Sequence, residues 1–177
     1  DSTAITFAWS IVGGGTCFIA GTKITLGDYS TKNIEDMVVG DEVLSYNPDT
    51  RELSTSILET LFSPMHNDLV EIDFGDIKNT NTHDHPYWIE GKGISSWRPD
   101  LTKSAYDLEA SQLELDDVCL LVDSSGLVVE RAITEITDLT IQPEYDGLDV
   151  QTYDLDVEDI DYYFANGILV HNGCPGA

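Results

Sequence analysis

Basic residues are scarce in this chain: Lys and Arg total 8 against 33 Asp and Glu, a formal net charge of −25. A surface of that sign repels phosphate backbones, so nucleic acid is not an expected partner. The acidity reads as a solvated, solubilising face. No Asp-x-Asp-x-Asp-Gly loop with a following Glu is present, which leaves an EF-hand unsupported. Cysteine is sparse too. Cys17, Cys119 and Cys174 cannot all pair within one chain, which argues against a disulfide scaffold. Apolar runs stay well short of the roughly 20 residues that a bilayer-spanning helix needs. Asp1 to Trp9 lack the basic start of a signal peptide. No membrane partner is expected, the chain reads as a piece excised from something longer, and its cell location stays open.

What the sequence does have is β pattern. Its 177 residues suit one domain with a real core. Short runs of Val, Ile, Leu, Thr and Tyr alternate with Gly, Asn, Asp and Pro, and few windows sustain a helical period. Strands are expected at 22–26, 42–46, 55–62, 69–74, 87–89, 118–122, 127–135, 151–157, 162–165 and 168–171. Asn166-Gly167 between the last two marks a two-residue hairpin, since both residues tolerate positive φ. Residues 34–45 overlay residues 110–121 with Asp41 matching Asp117, and an alternating run follows each copy. That weak repeat suggests two β halves related by a pseudo-twofold, able to bring the start and end of the module together at its centre. Gly13-Gly14-Gly15 reads as a flexible joint ahead of Cys17.

The chemistry concentrates near the two ends. Gly15-Thr16-Cys17-Phe18-Ile19-Ala20-Gly21-Thr22 brackets a thiol with glycines, leaving room for a tetrahedral intermediate at the Thr16 carbonyl. Cys119, inside an apolar strand, reads as a small buried filler. Thr80-Asn81-Thr82-His83-Asp84-His85-Pro86 offers a hydroxyl and an imidazole on one turn. Thr82 can hold the scissile peptide while His85 moves a proton to the departing amine; alternatively both merely cap a turn fixed by Pro86. His83 and His85 can also be read as half a zinc site, although no second ligand pair follows. In Tyr153-Asp154-Leu155-Asp156-Val157 the two carboxyls share a strand face. Asp154 is a candidate to orient or deprotonate Cys17, or to donate a proton if burial raises its pKa. Finally, Phe164-Ala165-Asn166-Gly167-Ile168-Leu169-Val170-His171-Asn172 ends in an amide that can attack its own main-chain carbonyl while His171 polarises it. An ordinary Asn-Gly turn with slow deamidation at Asn172-Gly173 is the plainer reading.

Taken together these segments, with Ile34-Glu35-Asp36-Met37-Val38-Val39-Gly40-Asp41-Glu42-Val43, resemble the Hint superfamily of inteins, bacterial intein-like domains and hedgehog autoprocessing domains. The resemblance covers about residues 17–172. It implies an all-β, horseshoe-like disc with internal pseudo-twofold symmetry. By the same resemblance Cys17 is the N-terminal nucleophile, Thr82 and His85 its partners, Asp154 the coupling acid, and His171 with Asn172 the C-terminal pair. The scissile junctions are then Thr16-Cys17 and Asn172-Gly173, with residues 1–16 and 173–177 as flanks. The implied partners are the flanking host segments in cis, acting on a monomer without cofactor or metal.

Three departures from the family pattern matter. Gly173 stands where splicing inteins carry Ser, Thr or Cys, so cleavage is expected in place of branched-ester splicing. Asp161 stands where members often have His, which removes a proton carrier. Asp116 stands in the second copy where the first has Gly40. Cys174 offers either a secondary nucleophile or a redox partner for Cys17. The competing expectations are a degenerate Hint module serving as an acidic β connector and, more weakly, a hydrolase with a metal on His83 and His85.

Overall fold

Runs rich in β-branched and aromatic residues, punctuated by Gly, Asn and Asp, build short strands throughout the chain. The computed structural model describes residues 16–145, 148–159 and 161–172. In order the strands are β1 (Phe18–Ile19), β2 (Lys23–Thr25), β3 (Thr31–Asn33), β4 (Glu42–Asn47), β5 (Glu52–Phe62), β6 (Met65–His66), β7 (Leu69–Asp73), β8 (Lys78–Thr82), β9 (Tyr87–Ile89) and β10 (Gly93–Ser96). Helix α1 (Pro99–Tyr106) follows, then β11 (Ser111–Gln112), β12 (Val118–Val122), β13 (Val128–Ala132), β14 (Glu135–Asp138), β15 (Val150–Val157), β16 (Tyr162–Ala165) and β17 (Ile168–His171). No helix among the described residues is long and apolar enough to cross a membrane.

The strands form two sheets. One runs β14-β7-β8-β1-β15-β5-β4 with β6 on β15; the other runs β11-β10-β9-β17-β16-β2-β3, with β12 joining β17 to β13. The hairpin β16–β17 is buried on both faces, which explains its nearly unbroken apolar sequence. Tyr163, Ala165, Ile168 and Val170 enter the larger core with Phe18 and Leu155, while Phe164 and Leu169 enter a smaller one with Leu44 and Leu120. Asn166 and Gly167 take φ of 49° and 82°, the doubly positive turn that the sequence predicts. The Asn166 side chain then fixes the register. It accepts from the Lys23 N–H at 2.9 Å and donates to the Lys78 carbonyl at 3.0 Å, tying the turn to β2 and β8.

The repeat seen in sequence is also a repeat of hydrogen bonds. Asp41 Oδ2 accepts from the Val38 amide at 2.9 Å and pairs with Lys32. Asp117 Oδ2 accepts from the Glu114 amide at 2.8 Å and pairs with Lys92. The Leu58 amide donates to the Asp41 carbonyl, and the Ile133 amide to the Asp117 carbonyl, both at 2.9 Å. Gly40 and Asp116 occupy equivalent turns, with φ of 96° and 70°. The two halves differ in their long strand. β5 is continuous, whereas the single strand expected at 127–135 is two, β13 and β14, which belong to different sheets. The break falls at Ile133, which is fully buried, and Thr134, whose amide donates to the Asp73 carbonyl on β7 at 2.8 Å.

Candidate active site

β1 is only two residues long and is held on both edges. Phe18 lies opposite Asn81 on β8 and opposite Tyr153 on β15. Those two pairings set Thr82 and Asp154 on either side of the Thr16–Cys17 peptide. The Cys17 N–H donates to Thr82 Oγ1 at 3.0 Å, and the Thr82 N–H returns a bond to the Cys17 carbonyl at 2.9 Å. Thr16 Oγ1 donates to Asp154 Oδ2 at 3.2 Å. Thr16, Cys17 and Thr82 have no exposed surface and Asp154 has 1%. Water is therefore excluded from this peptide, and each polar contact acts at a low local dielectric.

The turn after β8 carries the histidines in opposite directions. His83 Nε2 faces the Leu69 carbonyl and Asp138 Oδ1 at 3.2 and 3.0 Å, pinning the turn to β7 and β14. The His85 ring stacks against Phe18 with centroids 4.2 Å apart. The two imidazoles thus serve different surroundings, and no group of three His, Cys, Asp or Glu side chains suited to a metal occurs among the described residues. Neither His85 ring nitrogen completes a hydrogen bond of normal geometry. Burial pulls its pKa down to about 3, helped by the charge of His171 and opposed by nearby main-chain groups of His171 and Thr16. His85 is therefore a neutral imidazole lying between both junctions.

Two buried carboxyls complete the N-terminal side. Burial raises Asp154 well above the ordinary range, and Asp84 adds to it; bonds from the Leu155 amide, Tyr163 and Thr16 offset part of the rise. Asp84 is likewise raised by burial, with a compensating bond from the Thr82 hydroxyl, and its Oδ1 has no partner. Tyr106 reaches this cluster from the end of α1. Burial and the charges of Asp84, Asp154 and Cys17 push its phenol up, while its bond with Thr16 pulls it down. The helix is anchored by Thr102, which donates to the Asp84 carbonyl at 2.8 Å.

At the other junction, the His171 N–H donates to the Pro86 carbonyl at 3.0 Å, seating the end of β17 beside His85. Its Nδ1–H donates to the carbonyl oxygen of Asn172 in a short contact, and Tyr162 packs edge-on at 5.1 Å. Burial lowers the His171 pKa, with the Asn172 carbonyl and Asp161 opposing. The Asn172 amide donates to the Asp161 carbonyl at 2.7 Å, its side-chain nitrogen donates to Asp156 Oδ1 at 3.4 Å, and its Oδ1 is buried without a partner.

The fold thus gathers Thr16, Cys17, Thr82, His85, Asp154, His171 and Asn172 in one place. Gly173 and Cys174 lie outside the described residues. Sequence reading assigned nothing to Asp84, Tyr106 or Tyr163. Asp84 had a signal, its position inside Thr82-x-x-His85; Tyr106 had none, since it arrives on a helix far from any motif. Cys119 is buried in β12, where its surroundings raise its pKa.

By sequence, residues 18–124 match the family described as the Ataxin-1 and HBP1 module (AXH), which places that segment in that family by sequence pattern. No curated protein matches the chain. By structure the chain is similar to the bacterial intein-like domain from Clostridium thermocellum, at 26% identity and TM-score 0.65 over 88% of this chain and 98% of that one. It is also similar to a DnaB intein from Synechocystis sp. PCC 6803, at 16% identity and TM-score 0.65 over 89% and 98% of the two chains. The PabCDC21-1 intein gives 19% identity and TM-score 0.67 over 88% and 98%. The two kinds of comparison carry different names. The sequence match ends at residue 124, before β15, β16 and β17 supply Asp154, His171 and Asn172, whereas the structural matches span both sheets. The structural matches therefore decide the assignment of the whole domain. By fold the chain is a Hint-type domain, similar to inteins and to a bacterial intein-like domain.

Proposed function

We propose that this domain cuts its own backbone at Thr16–Cys17 and at Asn172–Gly173. The observation that carries the reading is that both reacting peptide groups are held by the side chains the chemistry needs. Thr82 takes the Cys17 N–H and His171 binds the Asn172 carbonyl, with neutral His85 against both junctions.

At the first junction Cys17 Sγ attacks the Thr16 carbonyl carbon and gives its proton to His85. The resulting imidazolium passes the proton to the Cys17 nitrogen as the carbon–nitrogen bond breaks, leaving Thr16 joined to Cys17 as a thioester. Burial keeps His85 neutral and so able to accept a proton, and the imidazolium formed is a strong acid toward the departing nitrogen. Asp154, kept protonated by burial, supports Thr16 through its hydroxyl. Once the broken peptide lets this junction open to solvent, water hydrolyses the thioester. At the second junction the Asn172 amide attacks its own carbonyl, whose oxygen is polarised by His171, and a succinimide forms as Gly173 leaves as an amine. Gly173 has no side chain to accept an acyl group, which favours cleavage over splicing. The domain is residues 17–172, its partners are the flanking segments in cis, and each molecule reacts once.

Intact mass spectrometry of a precursor with longer flanks tests this, with and without thiol reductant, beside Cys17→Ala and Asn172→Ala. Fragments ending at Asn172 that vanish in Asn172→Ala support the reading, and a joined-flank mass would shift it to splicing. A sample that stays at precursor mass under every condition transfers the domain to the connector reading.

A further inference from the structure

We propose that Asp156 is a catalytic residue of the C-terminal cut, holding the Asn172 side-chain nitrogen and accepting its proton as that nitrogen attacks. The inference rests on the processing reading above and assigns a residue to the step which that reading leaves without a base.

Asn172 is fixed at three points. Its main-chain amide is on the Asp161 carbonyl, its own carbonyl oxygen receives Nδ1–H of His171, and its side-chain nitrogen donates to Asp156 Oδ1 at 3.4 Å. The first two contacts hold the electrophile; the third is made by the nucleophile itself. An amide nitrogen is a poor nucleophile until it sheds a proton, so the group that touches it decides its reactivity. Among the hydrogen bonds of this site, Asp156 supplies the acceptor at that atom.

The backbone aims Asp156 there. β15 pairs with β5 in regular register from Asp154 opposite Phe62 to Asp156 opposite Thr60. The register then slips, and Val157 lies opposite Leu58, so Glu59 is an extra residue on β5. The slip follows Asp156, so Asp154 and Asp156 stay in register on one face of β15 and differ by their position along it. Asp154 turns into the core with 1% exposure, whereas Asp156 is only half-buried and reaches Asn172. The pair expected on one strand face therefore serves two junctions, Asp154 at Thr16 and Asp156 at Asn172.

Asp161, the neighbouring carboxyl, meets Asn172 through its main-chain carbonyl. The charged groups facing Asp156 are Glu59 on β5 and Asp161 ahead of β16. Burial and then those two carboxylates raise its pKa, which makes it a stronger base than a solvated Asp.

The atoms balance within the step. Nδ2 bonds to the Asn172 carbonyl carbon and gives one proton to Asp156; that carbon releases the Gly173 nitrogen, and Asp156 passes the proton on to it. Succinimide and free amine form with no net proton change.

The test uses the flanked precursor with Cys17→Ala, so that only the C-terminal cut is followed, from pH 5 to 9. In an Asn172→Ala precursor, thiol-induced cleavage at Cys17 reports the other junction. Asp156→Asn is expected to slow the cut after Asn172 by about a hundredfold and to abolish the fall in rate on the acid side, with Asp156→Glu restoring part of it. Cleavage at Cys17 is expected to stay within about twofold. The inference is overturned if Asp156→Asn cuts at the parent rate with the parent pH profile, or if both junctions lose activity together and Asp156→Glu rescues neither. A parent that never cuts after Asn172 overturns the processing reading as well, which separates the two failures. In every case the Asn172 side-chain amide resonances of ¹⁵N-labelled protein should move as Asp156 titrates and stop moving in Asp156→Asn; resonances that ignore Asp156 overturn the contact.

Discussion

The backbone N–H of His171 donates to the carbonyl of Pro86 at 3.0 Å, one residue beyond His85. Because the same turn begins at Thr82, whose hydroxyl receives the Cys17 amide, five consecutive residues touch both ends of the domain. One turn thus holds both ends of the described fold.

Acid should weaken the fold through His85. Its folded pKa of about 3 lies below the ordinary 6.5, so between those values the unfolded chain binds a proton that the native state refuses. Stability is thus lost as pH falls from 6.5 toward 3, by about 1.4 kcal/mol per unit at most. Urea unfolding at pH 7 and pH 4.5 should show a smaller loss in His85→Gln than in the parent.

Asp154 has the opposite sign. Raised by burial, it keeps a proton that the unfolded chain has already lost above its own carboxylate pKa, and this costs stability at neutral pH. Asp154→Asn retains a neutral polar group there. Its denaturation midpoint should exceed the parent's at pH 7, and the gap should close near pH 3.

Removing the Thr82 hydroxyl leaves the buried Cys17 N–H without its acceptor. Thr82→Val should cost about 1–3 kcal/mol and slow thiol-induced cleavage at Cys17, whereas Thr82→Ser should recover most of both. Equal cleavage rates in Val and Ser would separate Thr82 from the first junction.

The equivalent turns at Gly40 and Asp116 make a matched pair. Both have φ in the left-handed region, where a Cβ is strained, so Gly40→Ala should destabilise by about 1 kcal/mol. Asp116→Gly should raise the thermal midpoint slightly. A fall there would mean that the Asp116 side chain stabilises its turn by more than the strain it brings.

The hairpin β16–β17, the Asp41 and Asp117 turns and most central strands were legible because apolar alternation and turn residues report burial directly. β8 was not. Its sequence Lys78-Asn79-Thr80-Asn81-Thr82 looks like a loop, yet Asn79 and Asn81 are buried because their amides are spent on the Ala165 and Thr82 carbonyls. β1 is too short to carry any period. The end residues of the site were readable from Cys17 and His171-Asn172 by the chemistry they can do. Tyr106, by contrast, depends on where Thr102 docks α1, and the contact of Asp156 depends on where β17 delivers Asn172. Neither is a local property of the residue concerned.

The placement of His85 against main-chain groups of both Thr16 and His171 has a further consequence for any chain that carries this domain. Thr16 and His171 thus meet at one side chain, and the chain between them is a closed excursion. A host protein could accept it within a surface loop while keeping the spacing of the loop's own anchors, because closing that loop costs little more with the domain than without it.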